Sequence, residues 1–187
     1  MKKLFPIVLM IFGLVFVGAS AYTVHRGFDA KDQVRAELTA QDITTPSDAS
    51  LPNRKVTNVA TAQSMADIID HHALDASGGL TYSQMGRFAS KTGDAAGTDD
   101  ATAALLGADG KPVSNPIRNV AFQASALRTS LYASIMAFNI ADLVVGLGLM
   151  MLVLGASVGG VGVALGGLAI PSLARRVHVE PIAAHEM

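Results

Sequence analysis

The chain reads as an all-α membrane protein, with two long antiparallel transmembrane helices that extend into an extracytoplasmic stalk bearing a small helical and irregular insertion. Three observations predict this. Residues Leu131 to Ala174 form a run of 44 with one charge, Asp142. Residues Leu4 to Ala21 form a second run of 18 with no charge at all. A bilayer core is crossed by ~20 apolar helical residues, so the Leu131–Ala174 run is far longer than a crossing needs and the Leu4–Ala21 run is just long enough. The third observation is that both runs continue into the polar middle of the chain without a helix breaker.

Composition narrows the function classes. The chain is 50% hydrophobic and 16% charged, whereas an average globular chain carries roughly 25% charged residues. The deficit sits in the two apolar ends. From Tyr22 to Arg128 there are ten Lys/Arg and twelve Asp/Glu. That near-neutral balance offers no basic face and argues against a nucleic-acid partner. With no cysteine, disulfides, iron–sulfur clusters and thiolate metal sites are excluded. There is no Walker, His-Glu-x-x-His or c-type haem attachment sequence. The residues therefore predict no enzyme, no cofactor and no small-molecule substrate.

At the N-terminus, Lys2-Lys3 precedes the apolar run, and Pro6 lies in the first turn, where its missing N–H costs little. The positive start and Ala19-Ser20-Ala21 also fit a signal peptide with a small-residue cleavage site. The retained helix is the reading adopted. Lys2 and Lys3 at one end, and Arg175 and Arg176 after the second run, place both termini in the cytoplasm by the positive-inside rule. The expected division is a first transmembrane helix at 1–24, an extracytoplasmic segment at 25–128 with its insertion at 42–115, a second transmembrane segment at 129–174, and a cytoplasmic tail at 175–187. Tyr22 and Tyr132 are expected at the outer membrane edge, as members of aromatic belts.

The two helices are expected over roughly 4–41 and 116–165. Val34 and Leu38 carry the first beyond the apolar run, and Asn115-Pro116 supplies a cap and first position for the second. Within the insertion, Asp42 to Asn53 reads as irregular chain rich in Pro, Ser, Thr and Asp. Met65, Ile68, Ile69 and Ala73 give Ala62 to Leu74 a helical period, which Gly78-Gly79 ends. Thr81 to Ser90 is expected to form another helix capped by Thr81. Lys91 to Asp100 reads as a loop, and Asp100 as the cap of a short turn that Gly107 ends. So few large apolar residues build little core, and the insertion is expected to need a partner surface.

Four glycines and four acidic or histidine side chains are the candidate sites. Gly155 and Gly159, then Gly162 and Gly166, have the four-residue spacing that lets membrane helices approach closely. Asp142 falls near the midplane if the hydrocarbon begins at Tyr132, where a carboxylate costs roughly 2.5–3.5 kcal/mol and needs a partner or a proton. A span shifted to about 143–165 leaves it in the outer interface instead, and this is the favoured placement. A third crossing, turning near Gly155, is allowed by length but would put Arg175 and Arg176 outside. Asp67, His71 and Asp75 recur every four residues, share a helix face and are candidates for a hydrated divalent metal. The simpler reading is a solvated acidic face with histidines near a helix C-terminus.

The segments MADIIDHHALDASGGLTYSQM, ALRTSLYASIMAF and VVGLG, with VRAELTAQDITTPSDA after the first run, carry a resemblance over most of residues 1–155. The chain resembles a family of small two-span actinobacterial membrane proteins, some of which have been labelled aromatic ring-opening dioxygenases. These residues hold no iron-ligand set to support that label. Some corynebacterial proteins of this size and layout are accessory subunits of the respiratory supercomplex that joins a cytochrome bcc complex to a haem–copper oxidase. The resemblance implies a non-catalytic accessory subunit of the cell membrane, acting in assembly or stability. Its implied partners are larger respiratory-chain subunits and lipids. The glycine-rich stretch after Leu154 and the tail VHVEPIAAHEM depart from the family pattern. The alternatives left by the residues are a stand-alone envelope protein with a metal at Asp67, His71 and Asp75, or an assembly factor or sensor.

Overall fold

The structure is a computed structural model and describes residues 4–169. Lys2, Lys3, Arg175, Arg176 and the tail at 175–187, which carry the charge argument for orientation, lie outside the described residues. The elements are α1 (Leu4–Ala40), α2 (Val59–Ser77), a single 3-10 turn at Tyr82–Gln84, and α3 (Pro116–Ala169). No strand occurs among the described residues, only isolated bridges. α1 and α3 are each long and apolar enough to cross a membrane, and only 17% and 11% of their most apolar windows are buried. A core helix of a soluble domain would bury most of such a window. α3 runs unbroken through Gly155, so the third crossing with a hairpin there is overturned.

The chain forms two compact units. One comprises residues up to Phe28 together with those from Leu143, and the other is Asp29–Asp142.

The Asp29–Asp142 unit has a small core of Leu38, Val56, Ala62, Ala66, Leu131, Ile135 and Phe138. Of the large side chains in this core only Val56 comes from the loops. Leu38 of α1 and Leu131, Ile135 and Phe138 of α3 supply the rest. α2 meets them with Ala62 and Ala66, both fully buried, so its backbone lies close to the larger side chains.

Local chemistry sets the element ends. At the start of α2, Asn58 Oδ1 accepts from Thr61 N at 3.0 Å, and Thr61 Oγ1 accepts from Asn58 N at 3.3 Å. This reciprocal cap satisfies two donors that the helix leaves over. Gly78, at φ 66°, closes it in the left-handed conformation that costs glycine nothing. α3 begins as expected: Asn115 Oδ1 accepts from Ile117 N at 3.0 Å and Arg118 N at 3.3 Å.

The irregular chain at 42–58 is ordered by buried polar groups. Thr45 Oγ1 donates to Leu51 O and accepts from Arg54 N at 2.9 Å. Ser64 Oγ of α2 accepts from Leu51 N at 2.9 Å.

The helix expected from Thr81 to Ser90 does not form. Thr81 does open a turn, donating through its N–H at 2.8 Å and its Oγ1 at 2.9 Å to Gln84 Oε1, but the turn ends at Gln84. Beyond it, Phe88 bridges to Thr98 and to Ser114, and Ser90 to Ala104. Gly86 explains the change. A Cβ there would collide with the backbone of Thr98, so this glycine lets two chain segments pack backbone to backbone where a helix would hold them apart. The turn capped by Asp100 does form: its carboxylate accepts from Thr102 N at 2.8 Å.

Candidate functional site

The unit made by the ends of the chain is held by small residues. Its buried positions on α1 are Pro6, Gly13, Ser20 and Gly27, and on α3 they are Gly148, Gly155 and Gly162. Both sets recur every seven residues. A seven-residue seam follows two helices that wind slowly around each other. In hydrocarbon there is little hydrophobic drive between helices, so close van der Waals packing of backbones is what holds them. The contacts meet this need. A Cβ on Gly13 would lie 2.6 Å from Gly159 Cα, and one on Gly155 would lie 2.9 Å from Gly13 O and 3.0 Å from Val17 N. Gly148 faces Val24 and Ser20, and Gly162 faces Met10 and Pro6.

The four glycines singled out by four-residue spacing therefore divide. Gly155 and Gly162 are fully buried, while Gly159 and Gly166 are half-buried and have room for a Cβ. Gly13 and Gly148 belong to the seam and were not singled out. The heptad Pro6, Gly13, Ser20, Gly27 is visible in the sequence, and was the signal that would have found it. On α3, Gly146, Gly160 and Gly167 have open space above them, so this helix bears backbone-exposing positions that its contacts with α1 do not use.

Asp142 has a partner. Lys31 Nζ donates to its Oδ1 at 2.6 Å. Both belong to the Asp29–Asp142 unit, and Asp142 is exposed while Lys31 is half-buried. Sequence reasoning raised the need for a partner and did not find Lys31, which is 111 residues away. Tyr132 lies in this same unit, where its hydroxyl accepts from Gln63 Nε2 of α2 at 3.3 Å and Arg128 lies 5.9 Å above its ring. Its surroundings are thus the inserted segment.

Asp67, His71 and Asp75 lie along α2 as the spacing requires, yet they do not converge. Asp67 accepts from Gln63 Nε2 at 2.7 Å, and His71 Nε2 lies 3.3 Å from Asp75 Oδ2. Their neighbours are engaged elsewhere: Asp70 takes a hydrogen bond from Arg128, and His72 Nε2 lies 2.7 Å from Asp48 Oδ2. Among the described residues no group of three or more His, Asp or Glu is placed to hold a metal ion. The His72 hydrogen bond, followed by one from its own backbone, holds the Asp48 carboxyl below its ordinary value. Asp100 is lowered likewise by Thr102, through backbone N–H and then hydroxyl.

Comparison of the chain with protein-family models, with curated proteins and with solved structures finds no match in any of the three.

Proposed function

We propose that this chain is a non-catalytic accessory subunit of a respiratory electron-transport membrane complex, joined to larger subunits of a cytochrome bcc–oxidase supercomplex and serving its assembly or stability. In this reading α1 and α3 cross the cell membrane as an antiparallel pair with both termini in the cytoplasm, and the Asp29–Asp142 unit stands outside as a stalk with its insertion. The observation that carries the proposal is the apolar surface of α1 and α3. Beyond their mutual seam, Leu4, Phe5, Leu14 and Val15 of α1 and Leu143, Met150, Val153 and Val163 of α3 are all exposed, and Gly146, Gly160 and Gly167 leave backbone uncovered. Lipid covers such side chains, and uncovered glycines give another helix a place of close approach. The resemblance of MADIIDHHALDASGGLTYSQM and the flanking segments to accessory subunits names the complex.

The test is co-migration in blue-native gels from membranes solubilised in mild detergent. The tagged chain is expected with the oxidase and bcc subunits. Migration only as a free small protein would sink the proposal.

A further inference from the structure

The Asp29–Asp142 unit contains a cleft of about 520 Å³ between the end of α1, α2 and α3. That is within the ~300–1,000 Å³ of typical small-molecule sites. Leu38 and Leu131 form its floor, and both are buried core residues. Ile43, Met65 and Ile69 wall it, each half-buried and packed on that core. Leu127 stands at the rim, more than half exposed. Much of this apolar surface faces the opening.

The polar lining holds a single charged group. Glu37, Gln41, Ser130 and Ser134 complete the cleft, and no cation lines it. On α1, α2 and the chain between them, Asp32 pairs with Arg35, Asp42 with Lys55, Asp70 with Arg128 and Asp75 with His71, and Asp67 accepts from Gln63 Nε2. The Glu37 carboxylate has neither an ion pair nor a hydrogen bond among the described residues. An apolar trough with one uncompensated carboxylate at its edge matches a ligand of the opposite pattern.

We propose that this cleft binds a single-chain amphiphile with a cationic amine head, its chain lying on Leu38, Leu131, Met65 and Ile69 and its ammonium donating to Glu37. Chain burial supplies the affinity, since apolar transfer is non-directional. The carboxylate supplies selectivity, because a hydrogen bond to an ionised group is about twice as strong as a neutral one. An acid of equal chain length would bring like charge against Glu37 and is discriminated against. A partner helix would instead need a longer groove with anchors on successive turns. The proposal stands on the cleft alone and holds whether or not the chain belongs to a respiratory complex.

The chain has no tryptophan, so Leu127→Trp places a single reporter at the rim. The full chain in lipid nanodiscs is titrated with a long-chain primary amine brominated along its chain, then with the chain-matched carboxylic acid. Quenching by the amine is expected to saturate, with the acid at least tenfold weaker and Glu37→Gln weakening the amine about tenfold while leaving far-UV circular dichroism unchanged. Quenching that does not saturate, or that is equal for amine and acid and indifferent to Glu37→Gln, overturns the proposal and assigns the signal to bulk lipid. Trp emission that shifts with protein concentration and resists the amine also overturns it, by showing a second copy in the cleft.

Discussion

The two units hold their helices together by opposite means. The unit of chain ends buries almost no side-chain volume: its seam is Gly13, Gly27, Gly148, Gly155 and Gly162 with Pro6 and Ser20. The Asp29–Asp142 unit buries Phe138, Leu131, Ile135, Leu38 and Val56, and fastens its loops with the polar clasps of Thr45, Ser64 and Asn115. The first has no interior in the globular sense, and its stability lies in how closely two backbones approach. The second is an ordinary small core, with large side chains lent by the long helices and small ones by α2. The difference teaches that an added methyl should hurt one unit and a removed ring should hurt the other.

Removing a ring gives the largest effect. Phe138 is 2% exposed at the centre of the small core, and Phe138→Ala is expected to cost about 3–5 kcal/mol. Hydrogen exchange read segment by segment should show the loss across 43–66 and little change at 8–24. Equal loss in both regions would break the distinction between the units.

Adding bulk tests the other side. Gly155→Leu drives a side chain into the backbone of Gly13 and Val17, for which about 1–3 kcal/mol is expected in mixed-micelle unfolding. Gly160→Leu adds the same bulk into open space and should stay within about 0.5 kcal/mol. If the two variants lose stability equally, the seven-residue seam is wrong. If Gly160→Leu keeps its stability but no longer co-migrates with larger subunits, the uncovered face of α3 gains a partner.

The clasps come next. Asn115 is 2% exposed, caps α3, and donates through Nδ2 to Gly86 O at 3.1 Å and Ala95 O at 3.2 Å. Asn115→Ala should cost about 1–2 kcal/mol, the upper part of the range for a lost cap, and Asn115→Asp should recover the cap while losing the clasp. Protection of amides in 86–98 would separate the two contributions.

Much of this was legible before the structure. Length and hydropathy define α1 and α3 because no tertiary contact is needed to read a run of 44 residues with one charge. α2 was legible from the period of Met65, Ile68 and Ile69 and from Gly78, since its cap is local. What escaped depends on distant chain. Four-residue and seven-residue spacings share the glycines at 155 and 162, and only the opposing helix says which of the two is buried. Lys31 is tied to Asp142 across 111 residues. Thr81 to Ser90 carries a true capping signal, but Gly86 answers to Thr98 rather than to a helix. The cleft lining draws on three separate stretches of chain, none of which marks a site alone.

The smallest expected effect is a pH dependence in the clasp between loop and helix. His72 and Asp48 are both about half exposed, so their pair belongs to the weak class of surface ion pairs. The carboxyl of Asp48 is lowered from 3.8 in the folded chain. A lowered folded value means that the unfolded chain binds the proton more readily. The contribution is therefore fully present above 3.8 and declines as pH falls through the lowered value. Amide exchange at 45–56 should accelerate in that acid window in the native chain. In Asp48→Ala it should already be faster at neutral pH, and the two chains should converge at the acid end. Convergence identifies the clasp as the titrating contact. A constant difference down to the lowest pH would instead assign the loop's order to Thr45 and Ser64, whose hydrogen bonds involve no titrating group.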